Sequence, residues 1–176
     1  MLPAKYAFLD REVGPRMLRE ALAEYGTLET PGAANNPRII AWAKEVGGKV
    51  ADVYKADSIP WCGLFMAVIA KRADKPLPAN PLWALSWSAW GKPADKPMLG
   101  DVLVFTRNGG GHVGLYVGED ADAFHVLGGN QSDRVCITRI ARSRLYGARR
   151  LYAVARPRNV RVIRIGASGP LSKNEA

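Results

Sequence analysis

Apolar positions divide the chain into two halves with different periods. In the first half they recur at helical spacing. Met17, Leu18, Ala21, Leu22 and Tyr25 fall on one side of a segment that Gly14-Pro15 opens and Gly26 closes. Ile39, Ile40, Ala43 and Val46 do the same after Asn36-Pro37, a cap and a first-turn proline, and Gly47-Gly48 stop them. A third run, Gly63 to Ala70, is almost wholly apolar and reads as a buried helix ending near Ala73, with Pro60 in its first turn. Trp83, Trp87 and Trp90 recur at spacings of four and three, which predicts one helical face packed into the core.

From Asp101 the period changes to two. Strands are expected at about 101–106, 112–118, 122–128, 134–139 and 149–155, with Asn108-Gly109-Gly110-Gly111 as a hairpin turn. The short connections call for an antiparallel sheet. Val160 to Ile165 adds one more apolar–basic alternation. Helices first and strands second is an α+β pattern, with N-terminal helices on an antiparallel sheet of about five to six strands. The 176 residues suffice for one domain, placed at 1–165, with 166–176 expected to be a disordered tail.

Charge changes the picture only in the second half. The net charge of +9 arises after residue 133. Residues 1–133 carry 14 Lys/Arg and 15 Asp/Glu, whereas residues 134–164 carry ten arginines and no acid. Such a block keeps a protein soluble or docks it on an anionic surface: nucleic acid, acidic lipid or an anionic cell-wall polymer. Arg142 and Arg144, in an expected loop, are the candidate contacts for such a polymer. No stretch is long enough to span a membrane, and the N-terminus lacks the apolar core of a signal peptide. The expectation is cytoplasmic synthesis, with another system releasing or delivering the protein, and a monomer. Cys62 and Cys136 make no disulfide framework.

Candidate chemistry centres on Cys62. A cysteine in the first turn of a helix faces unsatisfied backbone N–H groups and the positive end of the helix dipole, which favour thiolate. It can equally be a small buried hydrophobe. His112 begins a strand, beside Gly110 and Gly111, which clear side chains from around it. A thiol at a helix start and an imidazole at a strand end suit a cysteine hydrolase. Trp61, next to the cysteine, is expected to line the cleft. Two cysteines and two histidines without close pair spacing do not read as a zinc site. Cys136 reads as a small strand residue.

Trp61-Cys62-Gly63, then Gly100-Asp101-Val102, then Gly111-His112-Val113-Gly114 are similar, in this order, to the CHAP amidohydrolase/peptidase superfamily and to NlpC-type cell-wall peptidases. The resemblance covers about residues 12–155. It is nearest to small single-domain phage and prophage members, which share the segment Pro31 to Pro37 and the run Gly128-Gly129-Asn130-Gln131-Ser132. It implies a papain-like fold and cleavage of an amide bond in peptidoglycan without a cofactor or metal, as in an endolysin or in an amidase toxin delivered by a secretion system. It also implies Cys62 as nucleophile and His112 as general base. Gln131, Trp61, Gly110 and Gly111 are placed at the substrate groove.

The third catalytic position stays open between two residues. CHAP members often place Glu and Asn two residues apart on the strand after the histidine; here the Glu position falls on Gly128, so that acid is missing, and Asn130 remains. NlpC-type members place a second histidine near this point, here His125. Strand parity sends residues 126, 128 and 130 one way and 125 the other, which favours Asn130 unless a bulge intervenes. A reading from another class makes the chain a nucleic-acid-binding or virion structural protein that uses the arginine-rich half, with Cys62 as core.

Overall fold

Asn36 shows how local chemistry sets the helical half. Its side-chain oxygen accepts from the Arg38 backbone N–H at 2.8 Å, Pro37 follows at the first helical position, and Gly47 (φ 79°) closes the element. This is α2 (Pro37–Val46). It follows α1 (Arg16–Ala23), which buries Met17, Leu18 and Ala21. Gly47-Gly48 do not end helical structure, because a short α3 (Gly48–Val53) starts at once. The buried run becomes α4 (Cys62–Arg72), with every residue from Cys62 to Ala70 buried and Lys71 and Arg72 in the last turn, where cations suit the dipole. Pro60 lies just outside this helix, and Trp61 is its N-cap. The computed structural model describes residues 1–152, 155–173 and 175.

The second half forms a six-stranded antiparallel sheet, so the chain is α+β. The strands are β1 (Lys92–Pro93), β2 (Val102–Arg107), β3 (Gly110–Glu119), β4 (Ala123–Gly128), β5 (Cys136–Ala141) and β6 (Leu145–Arg150). Their order is β1-β6-β2-β3-β4-β5. The hairpin turn is only Asn108-Gly109, with Gly109 at φ 78°, so Gly110 and Gly111 belong to β3. The last sheet strand comes earlier than expected and pairs with β2. Of the expected strand 149–155, residues 149–150 fall in β6, and 153–154 lie outside the described residues.

The sheet is covered on both faces, so residues 102–105 and 111–119 are buried throughout, beyond what a period of two would bury. Val102, Val104, Val113, Leu115 and Leu127 join the main core with α1, α2 and α4. Leu103, Phe105, Tyr116, Phe124, Val126 and Ile140 form a second cluster on the other face. Residues 160–165 form no strand of the sheet. They lie along β3, with Glu119 N–H donating to Ile163 O and Ile165 N–H to Glu119 O, both at 2.9 Å.

Two expectations about packing are revised. The tryptophan segment is a 3-10 helix, Ala84–Ala89, whose three-residue turn throws Trp83 outward at 54% exposure while Trp87 and Trp90 stay buried. The stretch after 165 is not free of the body. Lys5 donates to Ser168, Ser172 N–H donates to Arg139 O, and the Glu175 carboxylate is buried against Arg144. Residues 174 and 176 of that expected tail lie outside the described residues. No helix among the described residues is long and apolar enough to cross a membrane.

Candidate active site

Two glycines bring the first turn of α4 into place. A Cβ on Gly63 would stand 2.6 Å from Pro81 O, so the loop before the 3-10 helix can pass over the helix start only at glycine. A Cβ on Gly129 would stand 2.6 Å from Phe65 Cβ and 2.8 Å from the Trp61 ring, so the chain leaving β4 also needs glycine. Between these passages lies Cys62, 5% exposed. Its sulfur meets the backbone amide of Val113, the residue after His112, together with the amides of Gly63 and of Cys62 itself.

Burial is the larger influence on that thiol and pushes its pKa up, while these amides and the Arg107 charge pull it down. His112 is fully buried, and burial lowers its pKa to about 4, with a raising contribution from the Glu175 charge. Both shifts favour uncharged partners at neutral pH. Burial thus works against the thiolate–imidazolium pair that the helix start alone would favour.

The residue that orients His112 is Gln131. The Gln131 Nε2 group donates to Val126 O at 3.2 Å and to Cys136 O at 2.5 Å. Those two carbonyls fix the amide, so its oxygen faces His112 Nε2 at 3.0 Å. An amide oxygen only accepts, so His112 Nε2 carries the proton. Nδ1 is then the basic nitrogen, and it is buried without a hydrogen-bond partner among the described residues. Gly128 makes room for this bond, since a Cβ there would lie 3.2 Å from His112 Nε2 and 3.1 Å from Gln131 Oε1. An amide that orients an imidazole while leaving its other nitrogen as acceptor is the arrangement of a Cys-His-amide site.

Asn130, the favoured third residue, does not make this contact. It takes a left-handed conformation (φ 55°), and its Oδ1 is buried without a partner among the described residues. The strand ends at Gly128, so alternation no longer governs residue 130, and the turn hands the position to its neighbour. Gln131 was placed in the substrate groove but is 1% exposed and spent on internal bonds.

His125 belongs to a separate cluster. Its Nε2 donates to Asp120 at 2.8 Å, and Tyr6 Oη donates to its Nδ1 at 2.6 Å. Asp120 also receives Arg139, which holds its carboxyl well below the usual range. The register does contain a bulge, but on β3: Tyr116 faces Val126 and Gly118 faces His125.

The groove residues also differ from expectation. Trp61 is fully buried, packing on Trp42 at 5.8 Å and donating to Glu29 at 3.0 Å. Gly111 is buried under Leu85, where a Cβ would stand 2.6 Å from Leu85 Cδ2, and only Gly110 faces open space. Arg142 and Arg144 are not free loop cations. Arg142 lies over the Phe124 ring and donates to Asp120 O, and Arg144 grips Glu175. Among the described residues, six of the ten arginines between 134 and 164 form ion pairs, with acids supplied from elsewhere in the chain. Much of the apparent basic field is thus neutralised locally.

Neither a protein-family model nor a curated protein matches the chain at a significant level. Among the described residues no group of three or more His, Cys, Asp or Glu is placed to hold a metal ion.

Proposed function

We propose that the protein is a cysteine-dependent hydrolase of papain-like type that cleaves an amide bond in peptidoglycan. The observation that carries this reading is the fixed tautomer of His112. Gln131 holds the proton on Nε2, and Nδ1, without a hydrogen-bond partner among the described residues, is left to accept one at a site whose nearby sulfur sits on a helix start. A histidine that only filled the core would be expected to satisfy both nitrogens. The peptidoglycan substrate rests on the resemblance of the three motifs around Cys62, Asp101 and His112.

In the proposed reaction the Cys62 sulfur attacks the amide carbonyl as the thiol proton passes to His112 Nδ1. The Cys62 backbone N–H, at the first turn of α4, turns from the sulfur to the oxyanion and stabilises it. The tetrahedral adduct collapses as imidazolium His112 protonates the leaving amine and the C–N bond breaks. Water then gives its proton to Nδ1 and attacks the thioester, releasing the acid and restoring the thiol. Gln131 keeps the ring aligned throughout. The protein meets its substrate after release or delivery to the cell wall by another system. Incubation with purified walls tests the reading: new amino groups and soluble fragments should appear with the native chain and be absent with Cys62→Ala.

A further inference from the structure

Residues 166–171 are exposed or half-exposed, yet Glu175 a few residues on has a fully buried side chain. Arg144 grips its carboxylate with two parallel bonds, Nη1 to Oε1 at 2.8 Å and Nη2 to Oε2 at 2.6 Å. The guanidinium is built into the fold. Its Nε donates to Thr106 O at 3.1 Å, and its Nη1 also reaches Ser172 O at 3.3 Å. Thr106 pairs with Gly111, the neighbour of His112, so the fork stands beside the proposed catalytic imidazole. The Glu175 carboxylate favours protonation of His112, opposing the effect of burial. Thr106, Arg107, Asn108, Arg144 and Lys173 line an adjoining cleft of about 570 Å³. With His112 and Cys62 almost wholly covered, a substrate can enter only if something covering them moves.

We propose that the Arg144 fork is a carboxylate subsite of the substrate cleft and that Glu175 occupies it as an internal stand-in. Resting on the hydrolase reading, this deepens it: the substrate carries a carboxylate close to its scissile amide, and that carboxylate displaces the Glu175 carboxylate from Arg144 as it binds. A planar fork held by backbone carbonyls recognises a carboxylate geometrically as well as by charge.

Alkylation of Cys62 tests the subsite without relying on hydrolysis. Iodoacetate carries a carboxylate next to its reactive carbon, and iodoacetamide is its neutral counterpart. Peptide mass spectrometry counts Cys62 and Cys136 separately. In the full chain bearing Glu175→Ala, the iodoacetate/iodoacetamide rate ratio at Cys62 should rise about tenfold over the native chain, the scale of one charge-assisted fork. Arg144→Lys in the Glu175→Ala background should remove most of that rise, because a point charge lacks the fork. A ratio unmoved by Glu175→Ala overturns the proposal whatever the Arg144 variant does. A ratio that rises and then survives both Arg144→Lys and Arg144→Ala assigns the effect to other cations and overturns it too. The expected ratios without wall hydrolysis would keep the subsite and remove the hydrolase reading. Wall hydrolysis with an unmoved ratio would do the reverse.

Discussion

Gln131 offers the sharpest perturbation of the proposed machinery. Gln131→Met keeps the approximate volume but removes one acceptor and the amide donors. It leaves His112 Nε2, Val126 O and Cys136 O without their partner in a buried place. At about 1 kcal/mol for each orphaned group, the variant should lose ~3 kcal/mol of stability. Orientation should cost a further factor. Without the acceptor the imidazole proton is free to sit on Nδ1, and the base nitrogen then points the wrong way. Loss of a bond worth roughly 1.4 kcal/mol in the transition state predicts about a tenfold fall in kcat/KM.

Hydrolysis of a soluble acidic muropeptide, measured well below the melting temperature of each variant, separates the two effects. Asn130→Gly is the matched control from the same turn. Glycine accepts a φ of 55° without strain, and the Asn130 side-chain oxygen has no partner to lose, so activity should stay within about twofold. Gln131→Met at native activity, or Asn130→Gly as the slower variant, would refute the assignment of Gln131 as the residue that orients His112.

The other predictions concern packing and pH. Gly129→Ala puts a methyl against Phe65 and the Trp61 ring, so α4 must shift; a melting temperature several degrees lower and slower Cys62 alkylation should appear together, and an unchanged variant would contradict the close passage. Asp120→Asn should cost about 3 kcal/mol at pH 7, because Arg139 and His125 lose a charged partner. The Asp120 pKa is depressed in the fold, so its contribution is full above the unfolded carboxylate value of about 4 and is lost as pH falls toward the folded value. Denaturation curves of the native chain and Asp120→Asn should accordingly converge as pH drops from 5 to about 2, and parallel curves would show that the pair adds nothing.

Periodicity carried most of the fold because its signals are local. Asn36-Pro37, the apolar run of α4 and the alternation from Asp101 each mark their element within a few residues. Elements whose limits depend on partners were harder to read. β6 falls at Leu145–Arg150 because it pairs with β2, which no local pattern reveals. The tryptophan segment repeats at helical spacing yet winds as a 3-10 helix, so Trp83 turns outward.

At the candidate site, the positions of Cys62 at a helix start and of His112 beside glycines near a strand start were legible from the local pattern alone. Asn130 was favoured by counting strand parity two residues past the place where the strand ends. Its residue type suits a left-handed turn, and that was the available signal that alternation would fail there. The arginine block looked like a free positive field because its acids, Glu12, Asp101, Glu119, Asp120 and Glu175, lie far away in sequence. Glu175, a single acid in a polar stretch, gave no sign that it would be buried.

The most direct test of the central claim is mass spectrometry of peptidoglycan digested by the native chain and by folded Cys62→Ala. The account predicts fragments that end in one defined new amine and one new carboxyl group with the native chain, and none with the variant. Fragments released equally by both, or no cleavage by the native chain even with Glu175→Ala, would contradict a cysteine hydrolase built on Cys62, His112 and Gln131.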